Sequence, residues 1–203
     1  MGVNTVASRL LDVMERDTQR MQVLEKEVQS LRGDVDEARR IASTDPLTGA
    51  SNRAVFDETL ARLIDRGNAG AGEFALLFID VDHFKSINDR HGHLVGDRVL
   101  RGLVEVLRAG VRRDDVVARY GGEEFAVLLP TANAKVGMRS AEKLRKAVEE
   151  RTWTADGNSV LRFTVSVGVA GHQAGDTVES LVGRADAALY RAKQEGRNRS
   201  VRG

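Results

Sequence analysis

Two pairs of carboxylates stand where this sequence could do chemistry. Asp80 and Asp82 close an apolar run, and Glu123 and Glu124 directly follow Gly121-Gly122. Carboxylates beside glycine-rich backbone suit Mg²⁺, which takes a few such ligands and keeps its other positions for water and phosphate. Successive strand residues point to opposite faces, so one carboxylate from each pair is expected at a shared ligand. Cations follow the same residues. Lys85 comes three positions after Asp82, and Lys193 and Arg197 are one helical turn apart, so together they could clamp a polyphosphate. Read singly, each is a surface charge; their joint placement favours the site. Asn88 offers donors and an acceptor, whereas Asp97 is acceptor-only, as the N1 and N2 donors of a guanine edge require. Zinc is a poor fit, because the chain has no cysteine and its four histidines are dispersed.

The elements that must position these groups follow from periodicity. Val116 to Tyr120 and Phe125 to Leu129 read as the arms of a β-hairpin, and the Gly-Gly pair between them as a two-residue turn with positive φ. Phe74 to Val81 is a nearly continuous apolar run, as in a strand buried on both faces. Helical spacing runs from Asn52 to Arg66, Gly96 to Val111, Ala134 to Glu150 and Thr177 to Gln194, and Leu161 to Val169 reads as a strand. The resulting order is a βαββαβ plan with an added helix at each end. This predicts an α+β domain of ferredoxin-like, palm-type topology, with helices over one face of the sheet.

Before that domain, residues 3–42 follow a heptad repeat. Ala7, Met14, Met21, Val28, Val35 and Ala42 fill a, and Val3, Leu10, Leu24, Leu31 and Ala38 fill d, with Asp17 the one break. The g-to-e pairs of a parallel dimer would be Arg20 with Glu25, Glu27 with Arg32, and Asp34 with Arg39. All three are opposite in charge, which predicts a parallel, in-register homodimer over residues 1–43. Pro46 and Gly49 end the helix, so the second domain is expected over residues 44–203. The 31 basic and 30 acidic residues nearly cancel, which argues against nucleic acid or an anionic membrane as partner. The absence of cysteine fits a reducing compartment, no run is long enough to span a bilayer, and no signal-peptide layout opens the chain. The expectation is a cytosolic protein, or the cytosolic part of a longer one.

Asp45-Pro46-Leu47-Thr48-Gly49 with Asn52-Arg53, Phe78-Ile79-Asp80-Val81-Asp82-His83-Phe84-Lys85 with Asn88, Gly96-Asp97, Arg119-Tyr120-Gly121-Gly122-Glu123-Glu124-Phe125, and Ala192-Lys193 with Gly196-Arg197-Asn198 occur in order. Over about residues 44–199 this set resembles the GGDEF-domain diguanylate cyclases. The resemblance implies synthesis of cyclic di-GMP from two GTP molecules. It implies a divalent metal, Mg²⁺ or Mn²⁺, on Asp80, the Val81 carbonyl and Glu123, and guanine selection by Asn88 and Asp97. Lys85, Lys193 and Arg197 would hold phosphates, with the backbone near His83 and Phe84 and the open Gly121-Gly122 turn beside them. Glu123 or Glu124 would assist deprotonation of the ribose 3′-hydroxyl. Glutamate as the third motif residue is a variant this family accepts, so activity is expected. Ala50-Ser51 departs from the family pattern in the packing of the first turn only.

In such enzymes the Arg112-x-x-Asp115 spacing resembles an inhibitory product site, with Arg139 and Lys143 as a second cationic surface. Arginine can stack on guanine and pair with its Hoogsteen edge, while aspartate accepts from N1 and N2. Competing readings are an inactive receptor for cyclic di-GMP, a cyclase for another nucleotide, and a purely structural dimeriser. The complete carboxylate and cation set argues against the first, Asp97 against adenine, and the glycine-flanked hairpin against the last. No sensor domain is visible, so an upstream domain or partner is expected to supply the input.

Overall fold

The computed structural model describes residues 42–154 and 160–203, together with residues 21, 27–29, 31 and 38. The chain divides into two units, Met1–Ala42 and Ser43–Gly203. In the first, the described residues are helical, and Met21, Val28 and Leu31, all at a or d positions, are exposed. The remaining heptad residues Val3, Ala7, Leu10, Met14, Leu24 and Val35, the break at Asp17, and Arg20, Glu25, Arg32, Asp34 and Arg39 of the charge pairs lie outside the described residues. No helix among the described residues is long and apolar enough to cross a membrane.

The second unit runs α1 (Arg53–Asn68), β1 (Ala75–Val81), α2 (Phe84–His91), α3 (His93–Gly110), β2 (Val116–Arg119), β3 (Glu124–Leu129), α4 (Ala134–Glu150), β4 (Trp153–Thr154), β5 (Val160–Leu161), β6 (Val165–Gly171), α5 (Val178–Gln194) and β7 (Ser200–Arg202). Five strands form one sheet in the order β2-β3-β1-β6-β7, and β4 and β5 form a separate pair. Strand β1 is antiparallel to both β3 and β6, β2 is antiparallel to β3, and β7 is parallel to β6. The α+β, βαββαβ expectation is met, with β7 as an added edge.

All seven residues of β1 are buried, because helices cover both faces of the sheet. Its alternation sorts them. Ala75, Leu77, Ile79 and Val81 join Val99, Leu103 and Leu107 of α3 and Leu144 and Val148 of α4 in one core. Leu76 and Phe78 join Phe56 and Leu60 of α1 and Leu181, Ala185 and Leu189 of α5 in a second. The expectation of helices over one face is therefore corrected, and the apolar stripes of α1 and α5 are what bury the second face. That face also carries Asp80, since it continues the period-two series of Leu76 and Phe78.

Other differences have local causes. The predicted strand Leu161 to Val169 is split: Val160–Leu161 pair with Trp153–Thr154, and β6 begins only at Val165. Phe163, in the break, packs on the Trp153 ring with centroids 4.6 Å apart. Helix α2 was not expected, since only Phe84 and Ile87 of its eight residues are buried. Side chains cap three of the helices. Asn52 and Asn133 accept from the amides of Val55 and Val136, and Thr177 and Ser180 form a capping box.

Helix α5 lies directly on β6 at Gly168, where a Cβ would collide with the backbone of Ala185 and Leu189. Backbone cannot yield as a side-chain tip can. Gly168→Val is therefore expected to cost about 2–3 kcal/mol, a fall of about 5–10 °C in Tm at this chain length, measurable by calorimetry.

Candidate active site

The end of β1 delivers two aspartates that do different work. Asp82 is 4% exposed and saturated: it accepts from Thr164 Oγ1 at 2.6 Å, Ser166 Oγ at 2.7 Å and the Asn198 amide at 3.0 Å. Asp80 is 5% exposed, and Lys193 Nζ on the last turn of α5 lies 2.8 Å from its Oδ2. Burial raises the Asp80 pKa, and the charges of Glu124 and Asp82 add to that, against the lowering effect of Lys193. Of the first carboxylate pair, only Asp80 is thus available to a ligand.

From the other side comes the hairpin. Glu124 is directly opposite Asp80 in the β1–β3 register, and the Glu123 carbonyl accepts from the Val81 amide at 3.4 Å. These contacts bring both glutamates to the strand end. Glu123 is raised by burial first, then by the Asp80 carboxylate, with a smaller push from Glu124.

The turn between the arms is not the predicted two-residue type. Neither Gly121 nor Gly122 has positive φ, and the amides of both Tyr120 and Gly121 donate to the Glu124 carbonyl, at 2.9 and 3.1 Å. Three residues, Gly121 to Glu123, form the tip. The two glycines differ in their surroundings. A Cβ on Gly121 would lie 2.8 Å from Glu124 Oε2, and Gly122 faces open space with nothing within 4 Å.

Arg119 holds that tip from beneath. Its Nε donates to the carbonyls of Gly121 at 3.2 Å and Gly122 at 3.1 Å, and its Nη2 donates to Gly122 at 2.7 Å. Its Nη1 reaches both carboxylate oxygens of Asp45 at 3.1 Å. Asp45 also accepts from the Thr48 amide and hydroxyl. Burial alone would raise Asp45, but those bonds and the Arg119 charge hold it below the usual carboxylate range. Tyr120 packs between Phe56 and Phe78, with ring centroids at 5.3 and 4.9 Å, and fixes the hairpin laterally.

Beyond β1 the chain turns through His83, which adopts the left-handed conformation at φ 58° and caps α2 without a side-chain bond. Such a non-glycine residue is uncommon and marks a constrained turn. Phe84 is buried, and Lys85 is exposed in the first turn of α2. On the face of α2 toward α3, Asn88 Oδ1 is buried without a hydrogen-bond partner. A buried orphan acceptor calls for a donor from a ligand. Gly96 makes room for it, since a Cβ there would collide with Asn88 Oδ1. Asp97 follows, half-buried.

Asp80, Glu123, Glu124 and Lys193 are thus brought together, while Asn88 on α2 lies against Gly96 of α3, with Asp97 the next residue. Arg197 is exposed beyond the end of α5 and left-handed at φ 62°. A cleft of about 450 Å³ opens beside α2, lined by Asp82, His83, Ser86, Arg90, His91 and Arg162 among others. Neither Glu123 nor Glu124 lines it, nor do Lys85, Lys193 and Arg197.

The second predicted cluster forms a separate cleft of about 270 Å³ lined by Arg112, Asp115, Thr131, Val136, Ser140 and Lys143. Asp115 accepts from the Arg112 amide at 2.7 Å, so it also closes its own turn. Lys143 donates to the Gly110 carbonyl at 3.0 Å. Arg139 is exposed on α4 and does not line this cleft, whose α4 lining is Val136, Ser140 and Lys143 at i, i+4 and i+7.

No role was expected of Arg119, Asp45 or Asn198, whose bonds hold the hairpin tip and the end of β1. All three stand in the ordered motifs, and Arg119 is set directly before the glycine turn.

Can these residues hold a divalent cation? Asp80 and Glu123 are both raised by burial, Asp80 raises Glu123 further, Glu124 raises both, and Lys193 opposes this at each, which leaves an excess of negative charge that a hard cation would neutralise. Among the described residues no three acidic or histidine side chains form a closed cage, and a metal that also binds phosphate and water needs none. The donor set fits.

A family model described as "Diguanylate cyclase, GGDEF domain" matches residues 42–199. The response regulator PleD of Caulobacter vibrioides is 40% identical over 99% of this chain and 45% of its own length. Diguanylate cyclase DgcP of Pseudomonas aeruginosa is 39% identical over 96% of this chain and 28% of its own. The chain thus spans less than half the length of these curated relatives. Among solved structures, the coiled coil and GGDEF domain of DgcB from Caulobacter crescentus, in complex with c-di-GMP, superposes with a TM-score of 0.84. It is 36% identical, over 91% of this chain and 97% of that one.

The raised carboxylates have a consequence for stability. A group whose pKa is raised by folding contributes stability that is present below the ordinary carboxylate range and lost as pH rises through the raised value. Asp80 and Glu123 therefore cost stability at neutral pH when no cation is bound. Without divalent cation, Glu123→Gln is expected to melt about 1–3 °C above the parent at pH 7. The gap should close on acidification and reverse when Mg²⁺ is added, as followed by calorimetry.

Proposed function

The chain belongs to the GGDEF-domain family of diguanylate cyclases, and we propose that it condenses two GTP molecules into cyclic di-GMP, releasing two pyrophosphates, as a homodimer. The observation that carries this reading is Asp80: a buried carboxylate at a strand end, held by one lysine and crowded by Glu123, beside an unobstructed glycine. The orphan Asn88 Oδ1 supports guanine as the base, since guanine offers N1 and N2 donors.

In this reading Asp80, the Val81 carbonyl and Glu123 hold Mg²⁺, or Mn²⁺ in its place, which supplies neutralisation of charge on the phosphates. The residues of the chain do the rest. Asn88 and Asp97 orient the base. Lys193, Arg197 and Lys85, with the amides at the start of α2, hold the triphosphate so that pyrophosphate faces cations as it leaves. Glu123 or Glu124 accepts the proton of the 3′-hydroxyl, whose oxygen then forms the bond to the α-phosphorus of the other nucleotide. Gly122 leaves the approach clear.

One domain positions one GTP, so a second copy must present the other. Residues 1–43 serve as a parallel coiled coil that raises the local concentration of that copy, and residues 44–203 as the catalytic domain. The exposure of Met21, Val28 and Leu31 supports a helix awaiting a partner. An upstream domain or partner protein supplies the input through this helix, and GTP supply makes the cytosol the site of action.

The test is product chromatography of purified protein with GTP and Mg²⁺ over a range of protein concentrations. Cyclic di-GMP is expected at a specific rate that rises with concentration, and Glu123→Ala should lose at least about 100-fold. No product from a folded, dimeric sample would defeat the reading.

The cleft at Arg112 and Asp115 supports binding of the product there as an inhibitor, with Lys143 beside it and Arg139 outside the lining. Arg112→Ala is expected to weaken inhibition by cyclic di-GMP about tenfold or more while leaving the initial rate within about twofold. Unchanged inhibition in a dose-response assay would remove the site.

A further inference from the structure

After α5 the chain passes Glu195-Gly196-Arg197-Asn198-Arg199 into β7. Arg197 and Asn198 are consecutive non-glycine residues in the left-handed region, at φ 62° and 46°. L-residues disfavour this conformation and keep it only where surroundings over-determine it.

Asn198 is over-determined. Its amide donates to Asp82 Oδ2 at 3.0 Å, its Nδ2 donates to Glu149 Oε1 at 2.7 Å, and its Oδ1 accepts from Arg145 Nη1 at 2.6 Å. Arg145 is 7% exposed, an unusual place for a guanidinium on a domain this small. It is held by both oxygens of Glu142 and by Glu149 Oε2 at 2.7 Å, and Glu142 also accepts from Ser200 Oγ at 3.3 Å. Asp82, at the far end, is fixed by Thr164 and Ser166 and lies two residues from Asp80. One network therefore ties α4, the end of β1 and the loop after α5 into a single frame.

We infer that Arg145 is a positioning residue for the reaction: through Asn198 it locks the left-handed backbone of Arg197 and so aims the Arg197 guanidinium at the triphosphate. This rests on the reading of Arg197 as a phosphate ligand. Arg145 touches no substrate itself. Its fork is needed because lysine cannot bond Glu142, Glu149 and Asn198 at once in fixed directions.

Asn198→Gly separates positioning from folding. Glycine adopts the left-handed conformation without strain but deletes both side-chain bonds of the lock. The expected result, from full-length protein assayed with GTP and Mg²⁺, is a GTP KM raised about 5–20-fold, kcat within about threefold and Tm within about 2 °C. Inhibition by added inorganic pyrophosphate should weaken in parallel. Arg145→Lys should raise KM likewise and add nothing further in the Asn198→Gly background. The Arg197→Ala effect on KM should shrink to about twofold in that background, because an unaimed guanidinium has little to lose.

Multiplicative effects of Asn198→Gly and Arg197→Ala would overturn the inference, as would a lowered Tm with KM unchanged, which is the signature of a merely structural tie. Should Arg197→Ala alone leave KM unmoved in protein that makes product, the phosphate role of Arg197 falls as well. The single variant thus reports on that role and the double-mutant cycle on the lock.

Discussion

A carboxylate at the end of a strand buried on both faces is an unfavourable thing to build, and Asp80 is the constraint around which this domain is arranged. Desolvation penalises its charge, and Glu124 and Asp82 add repulsion. Among the described residues, Lys193, delivered by the last turn of α5, offsets them. Ionised groups that stay buried without full compensation are found where a ligand supplies the missing charge. The two cores on either side of β1 supply the stability that tolerates this arrangement.

Around that constraint the flanking polar groups divide into two frames. Arg119 connects the turn at Asp45 to the carbonyls of the hairpin tip, so the glycines keep their shape without a positive-φ turn to set it. Asp82 and Asn198 connect the end of β1 to the loop after α5. The groups that would meet a ligand, in contrast, are left with few partners, as the orphan Asn88 Oδ1 shows. Saturated frames beside unsaturated ligand groups are what preorganisation requires, since the frame must not rearrange when the ligand arrives.

The strand–helix alternation, the hairpin and the carboxylate and cation clusters could be read in the sequence, because apolar periodicity and residue chemistry are local properties. What could not be read was relational. Asp80 and Asp82 look equivalent in a row, and what distinguishes them lies more than eighty residues on: the hydroxyls of Thr164 and Ser166 and the Asn198 amide at Asp82, and Lys193 at Asp80. Helix α2 escaped because most of its residues are polar. The second core was hidden because the stripes of α1 and α5 do not state which face they cover. Arg145 reads as one more charge on an amphipathic helix, and its partner Asn198 is 53 residues away. The glycine pair was expected to give both a positive-φ turn and room for a ligand; the turn is instead a three-residue tip, and Gly122 does face open space.

The bond between Asp82 and the Asn198 amide spans 116 residues, and this bears on the chain while it is being synthesised. On the ribosome β1 emerges long before β6, α5 and the 198 loop, so for most of translation it is an apolar ribbon with no partner on one side. Asp80 can then be solvated and no pocket exists. The centre comes into being only when nearly the whole domain is out, which ties competence to the completion of this domain.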